Sequence, residues 1–209
     1  MRIGVNASSL DRDLRDKVEA GEMSRAEAMV ESALGHIRIL EELDFRDIKV
    51  SLKASEVVTT IEAYRLLADR CDYPFHVGIT EAGTVWSGTI KSAAGIGALV
   101  MDGLADTIRV SLTGPVEEEV RVGRAILAAM GERRDAPELI SCPTCGRTTI
   151  DLVGLAERVE EMLADVREPI VVAVMGCEVN GPGEARDADI GVAGGAGRGI
   201  VFRKGEIVR

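Results

Sequence analysis

The sequence predicts an α/β fold over its first two thirds and a small α+β domain after it, on three observations. Short apolar runs ending in polar residues alternate with longer amphipathic stretches, the grammar of βα units. Of the 209 residues 46% are hydrophobic but 3% aromatic, so the core is built from Ala, Val, Ile and Leu, which suits helices packed on a parallel sheet. Near residue 134 the alternation breaks at the charged link Arg133–Glu138, and glycine becomes frequent in the last thirty residues. The predicted domains are therefore 1–133 and 134–209.

The first strand is expected at Arg2–Ala7, followed by a helix opened by the capping box Ser24-Arg25-Ala26-Glu27, with Val30, Ala33, Leu34, Ile37 and Leu40 on one face. A second strand at Asp47–Ala54 leads to a helix begun by Ser55 that turns Val57, Val58, Ile61, Tyr64, Ala68 and Cys71 inward. Strands at Pro74–Ala82 and Asp106–Leu112 complete the set. Pro115 and Gly131 bracket a helix over Val116–Met130. Parallel strands joined by crossover helices are the economical topology for this order.

Beyond the link, Leu139-Ile140-Ser141 reads as a strand, about Asp151–Arg167 as a helix carrying Leu152, Ala156, Val159 and Leu163 on its face, and Ile170–Met175 as a strand. Ile190–Val192, Ile200–Phe202 and Ile207–Val208 are short strands, the last two turning at Lys204-Gly205.

The charge balance narrows the partners. Asp and Glu outnumber Lys and Arg by 35 to 25, a net −10, so a bulk electrostatic grip on nucleic acid or anionic lipid is not expected. Any anionic ligand must be held by a few local cations. No apolar run reaches the ~20 residues a membrane helix needs, and the start turns polar too early for a signal peptide, so the cytoplasm is the expected setting. There, cysteines read as metal or redox chemistry before disulfides.

Three of the four cysteines form one constellation. Cys142-Pro143-Thr144-Cys145 alone suits a thioredoxin-like dithiol, half a zinc site or part of an iron–sulfur site. Cys177 narrows the choice: Ile-Ser-Cys and Met-Gly-Cys each end an apolar strand, which sets three soft ligands at one end of a small sheet. The loop Cys177-Glu178-Val179-Asn180-Gly181-Pro182-Gly183-Glu184 offers a carboxylate for the fourth corner, with its Gly-Pro-Gly turn folding Glu184 back beside Cys177. A 4Fe–4S centre is the reading these spacings favour, zinc the alternative. His36, mid-helix, and His76, mid-strand, are poor competitors, and Cys71 lies on an apolar stripe as a structural thiol.

The strand ends of the first domain carry Asn6, Lys53, Glu81 and Ser111, with Arg2 and Arg109 slightly earlier. In parallel α/β sheets chemistry gathers at the carboxyl ends of strands. Arg, Lys, Asn and Ser converging on one mouth suit an oxyanion such as phosphate, and a carboxylate among them suits an acid or base.

These blocks carry a resemblance. Val5-Asn6-Ala7-Ser8-Ser9-Leu10, Lys49–Ser55, Gly78-Ile79-Thr80-Glu81-Ala82-Gly83, Arg109-Val110-Ser111-Leu112, Cys142-Pro143-Thr144-Cys145-Gly146-Arg147 and Gly176–Ala185 resemble, in order, the 4-hydroxy-3-methylbut-2-enyl diphosphate synthase family, iron–sulfur enzymes of the non-mevalonate isoprenoid pathway. The resemblance implies a partial TIM-type barrel (its last four βα units) followed by a small α+β iron–sulfur domain. It implies reductive ring opening and dehydroxylation of the cyclic diphosphate 2-C-methyl-D-erythritol 2,4-cyclodiphosphate, with electrons from a ferredoxin or flavodoxin. Position by position, Cys142, Cys145, Cys177 and Glu184 match the 4Fe–4S ligands. Arg2, Asn6, Lys53 and Ser111, with Arg109, match diphosphate-holding residues, Glu81 the acid–base carboxylate, and Asn180 a cluster-side residue near the substrate. A homodimer is implied as well. The family's barrel has eight strands and four are read here, so the chain is expected to be a fragment or one piece of a split protein whose N-terminal half lies elsewhere. A thioredoxin-like dithiol protein and a zinc-stabilised binding module are the competing readings.

Overall fold

The computed structural model describes residues 1–133, 135–195 and 197–209. Arg134, where the sequence places the boundary, lies outside them. The chain divides into two compact units, Met1–Glu132 and Arg133–Arg209.

In the first unit β1 (Arg2–Asn6) pairs in parallel with β2 (Lys49–Lys53), Arg2 opposite Lys49 and Asn6 opposite Lys53. β3 (His76–Val77) pairs in parallel with β4 (Thr107–Ile108), and a parallel bridge from Val50 to Phe75 links the two pairs. After β1 come α1 (Arg12–Glu19) and α2 (Arg25–Glu42); α3 (Val57–Ala68) follows β2, α4 (Val85–Met101) follows β3, and α5 (Val116–Ala129) follows β4. Local chemistry sets several ends. Ser24 and Glu27 make the reciprocal capping box, Glu27 N donating to Ser24 Oγ at 3.1 Å and Ser24 N to Glu27 Oε2 at 2.7 Å. Pro115 caps α5, and Gly131 just beyond it takes φ +74°.

Alternation on the strands sends Ile3, Val5, Val50, Leu52 and Val77 into one core with Met29, Ala33 and Ile37 of α2 and Leu67 of α3. α3 docks differently from its expected stripe. Its buried face is Thr60, Ala63, Tyr64 and Leu67, while Val58 is 66% exposed. Thr60 tolerates burial because its hydroxyl accepts from Ala54 N and bonds the Glu56 carbonyl.

The strands are shorter than the sequence predicts, and for β3 Tyr64 supplies a reason. Leu52 N donates to the Tyr64 hydroxyl at 2.9 Å, and that hydroxyl donates to the His76 carbonyl at 2.7 Å. The phenol thus stands where a direct β2–β3 ladder bond would run. Its ring lies against Phe75 with centroids 5.3 Å apart and planes tilted by 59°. Burial holds the phenol well above its usual pKa, opposed by the bond from Leu52.

The second unit is a five-stranded sheet in the order β5 (Glu138–Ser141), β6 (Val171–Met175), β7 (Ile190–Gly195), β8 (Arg198–Arg203), β9 (Glu206–Ile207), its first three strands parallel and its last pairings antiparallel. α6 (Leu152–Leu163) connects β5 to β6, and the single turn α7 (Gly181–Glu184) precedes β7. α6 stops short of the expected Arg167, whose guanidinium instead reaches the Ala164 and Val166 carbonyls before Pro169. At the β8–β9 turn Lys204 and Gly205 both have positive φ, +48° and +81°, as a two-residue hairpin requires. Phe202 is fully buried among Ala173, Met175, Ala185, Ala188 and Ala193. Among the described residues no helix is long and apolar enough to cross a membrane.

Tyr64→Phe tests the inserted hydroxyl. The ring contact survives while Leu52 N and the His76 carbonyl lose their partner, so urea unfolding should show a loss of about 1–3 kcal/mol; a change under about 0.5 kcal/mol would show that the strands close directly.

Candidate functional site

In the first unit the strand face opposite the helix-packed core is polar. With Ile3, Val5, Val50 and Leu52 turned to the helices, Arg2, Asn6, Lys49, Ser51 and Lys53 fall on the other face of β1 and β2. With Val77 and Val110 in the core, His76, Gly78, Arg109 and Ser111 fall on the same side of the β3 and β4 segments.

Gly78 shapes this face. The β3–β4 pairing continues past the regular strands, Arg109 N donating to the Val77 carbonyl at 2.8 Å, and a Cβ at residue 78 would run into the Arg109 carbonyl. The glycine lets the backbones close and leaves no side chain between Lys53 of β2 and Arg109. Lys53 is 9% exposed. Burial first, then the charges of Arg109 and Arg2, push its ammonium down to about 8. Arg2, Lys49, Lys53 and Arg109 make no ion pair with a carboxylate among the described residues, whereas arginines on the helices do, as Arg65 with Asp102 at 2.7 Å.

The other predicted residues of this unit take different situations. Asn6 Oδ1 accepts from Ser8 N at 3.0 Å and Ser8 Oγ at 2.7 Å, so its carbonyl is engaged and its amide NH2 remains to donate outward. Ser111 is half-buried, and the next amide, Leu112 N, donates to Glu119 Oε1 at 2.8 Å. Glu81 is exposed in the β3–α4 connection with φ +52°, a left-handed conformation for a residue with a Cβ.

In the second unit Cys142 directly follows β5 and Cys177 lies two residues past β6, neighbouring strands paired in parallel. Gly176 N donates to Cys142 Sγ at 3.3 Å and Asn180 N to Cys177 Sγ at 3.4 Å, so the structure brings these two thiols to one strand mouth. Cys145 is exposed in the loop beside them, with Thr148 Oγ1 4.0 Å from its sulfur. The Arg147 backbone amide, then the Thr148 hydroxyl, favour its thiolate and lower its pKa.

Glu184 departs from the expected fold-back. Cys177 O accepts from Gly181 N at 3.0 Å and Asn180 O from Glu184 N at 2.9 Å, so the run winds helically, with Pro182 at an early helix position. Among the described residues no three His, Cys, Asp or Glu groups stand close enough to hold a single ion. Cys71, half-buried against the core of the first unit, has its thiol pKa raised by burial.

Comparison with known proteins decides the family. The GcpE TIM-barrel domain matches residues 1–124, and the GcpE protein C-terminal domain matches residues 138–209. The chain belongs to the GcpE family. It is similar along its whole length to a Geobacter sulfurreducens relative at 62% identity over 209 residues, and to Clostridium perfringens and Anoxybacillus flavithermus relatives at 57% each. All three are named 4-hydroxy-3-methylbut-2-en-1-yl diphosphate synthase (flavodoxin). The chain spans 57–59% of the length of these GcpE proteins.

Sequence reasoning passed over Gly78 and treated His76 only as a poor metal ligand. Period-two alternation within the expected strand Pro74–Ala82 puts His76 and Gly78 on one face together, but the register that makes them neighbours of Lys53 and Arg109 is a tertiary fact.

The strained Glu81 gives a test. A left-handed residue with a Cβ costs roughly 1–2 kcal/mol, which glycine avoids at a comparable unfolded-state entropy cost. Glu81→Gly should therefore leave thermal stability within about 1 kcal/mol; a loss above about 2 kcal/mol would show that the carboxylate holds the fold together.

Proposed function

We propose that this chain supplies the last four βα units of a TIM-type barrel and the cluster-holding domain of a 4-hydroxy-3-methylbut-2-en-1-yl diphosphate synthase, acting in the cytoplasm. The reaction is the reductive ring opening of 2-C-methyl-D-erythritol 2,4-cyclodiphosphate: two electrons and two protons enter, a ring C–O bond opens, and one water leaves. The observation that carries the substrate half is the unpaired cation row about Gly78. Four cations without carboxylate partners among the described residues, in a chain of net charge −10, have a local task that bulk charge does not explain.

Each residue then has a role its surroundings support. Lys53, Arg109 and Arg2 hold the diphosphate oxygens, with the Asn6 amide and the Ser111 hydroxyl as neutral donors. Lys53, desolvated and crowded by Arg109 and Arg2, gains most from an anion, which restores its charged form. Glu81, exposed and held in a left-handed backbone, holds or moves a proton.

Cys142, Cys145, Cys177 and Glu184 would hold a 4Fe–4S cluster, with Asn180 on the cluster side of the substrate. The donor set fits: three soft thiols, two of them already accepting backbone N–H bonds of the kind that stabilise cluster sulfurs, and one hard carboxylate. A four-iron cage also spreads its ligand atoms wider than one ion does. Such a cluster, when bound, supplies single electrons and a Lewis-acid corner for the leaving oxygen. The relatives' names point to flavodoxin as the electron donor, a ferredoxin being the alternative. A homodimer belongs to the same reading.

Iron and sulfide analysis of anaerobically reconstituted protein tests it. Roughly four irons per chain are expected; Glu184→Ala should lose iron several-fold faster in air, and Lys53→Ala should keep its iron while weakening pyrophosphate binding about tenfold or more, about 1.4 kcal/mol. A single zinc per chain, or iron retention indifferent to Glu184→Ala, would overturn the cluster assignment.

A further inference from the structure

The cationic face carries a second polar row. His76 pairs in register with Thr107, and its Nδ1 lies 2.8 Å from Thr107 Oγ1. The parallel Val50–Phe75 bridge sets Ser51 of β2 beside His76 of β3, and Ser51 pairs with Gly4 of β1. Ser51 is 2% exposed and lies beside the Tyr64 phenol, yet among the described residues its hydroxyl makes no hydrogen bond of good geometry. Nothing lies within 4 Å of where a Cβ on Gly4 would stand. A buried hydroxyl without a well-placed partner beside open space marks a place for a further polar atom, from a ligand or a water.

We propose that His76, bonded to Thr107 and sharing the strand face with Lys53 and Arg109, is a positioning residue of the oxyanion site that takes up a proton when the site is filled.

The groups around the imidazole set the sign. Arg2 acts from β1, Lys49 and Lys53 from β2, and Arg109 from beyond β4. From α3 the Tyr64 hydroxyl reaches the His76 carbonyl rather than its ring. The nearby carboxylate at the start of β4, Asp106, accepts from Phe75 N at 2.7 Å. Burial first, then those four cations, hold the imidazole down to about 4, so the empty site keeps it neutral. An anion among the cations cancels much of their field, which raises the imidazole's pKa. Binding then draws one proton from solvent, and by reciprocity affinity rises as pH falls through the window between the free and bound values. Above that window His76 contributes no pH dependence.

The inference rests on the reading that Lys53 and Arg109 hold a diphosphate, and inorganic pyrophosphate is the probe. The chain has two histidines, so imidazole NMR of the labelled protein reports His76 directly, with His36 on α2 as the internal control. Without pyrophosphate His76 should stay neutral at pH 5.5; with saturating pyrophosphate its midpoint should rise by about two units. His76→Gln should lose about tenfold more pyrophosphate affinity relative to wild type at pH 5 than at pH 8, the ligand's own titration cancelling in the comparison. Lys53-dependent binding with an unmoved His76 midpoint would overturn this inference alone. No binding, or binding indifferent to Lys53→Ala, would overturn the site reading and this inference with it.

Discussion

The mutual repulsion of a few unpaired cations on one strand face is the constraint on which the rest of the first unit depends. Elsewhere arginines sit beside carboxylates, as Arg65 does with Asp102. On the strand face Arg2, Lys49, Lys53 and Arg109 have none among the described residues, and Lys53 is also nearly removed from water. Such an arrangement costs stability unless a ligand completes it, and folded proteins retain such costs at functional sites. The surrounding α/β scaffold must be rigid enough to hold like charges together. The aliphatic core on the opposite strand face supplies that rigidity.

Two local devices make the crowding geometrically attainable. The absent side chain at Gly78 clears the space between Lys53 and Arg109 and lets the neighbouring backbone close. The Tyr64 hydroxyl joins β2 to β3 through a side chain, satisfying one amide and one carbonyl while keeping the strands in register. The second unit applies a comparable logic to sulfur, with backbone amides at Gly176 and Asn180 aimed at the Cys142 and Cys177 thiols. Strand ends present backbone donors in fixed directions, so both units place their reactive groups there.

What the sequence disclosed follows the range of the interaction responsible. The Ser24–Glu27 box, the Pro115 and Gly131 punctuation and the Lys204-Gly205 turn were legible because each is settled within four residues. The length of β3 was not, since the interruption of its pairing with β2 comes from Tyr64 on α3. Val58 was misplaced because docking, not periodicity alone, chooses which apolar positions of α3 face inward, and Thr60 took a core position through its own hydrogen bonds. At the site, residue types and their alternation revealed the cations and the thiols. The Gly-Pro-Gly run read as a tight turn, whereas Pro182 is equally suited to a helix start, and the helical solution prevailed. Family membership rests on the match of both domains.

The most direct test of the account is the titration of the Lys53 ammonium by lysine-selective NMR, assigned by substitution among the chain's five lysines. The account predicts a Lys53 midpoint near the value of about 8, moving upward when pyrophosphate fills the face. A Lys53 midpoint at the ordinary value, unmoved by pyrophosphate, would contradict it.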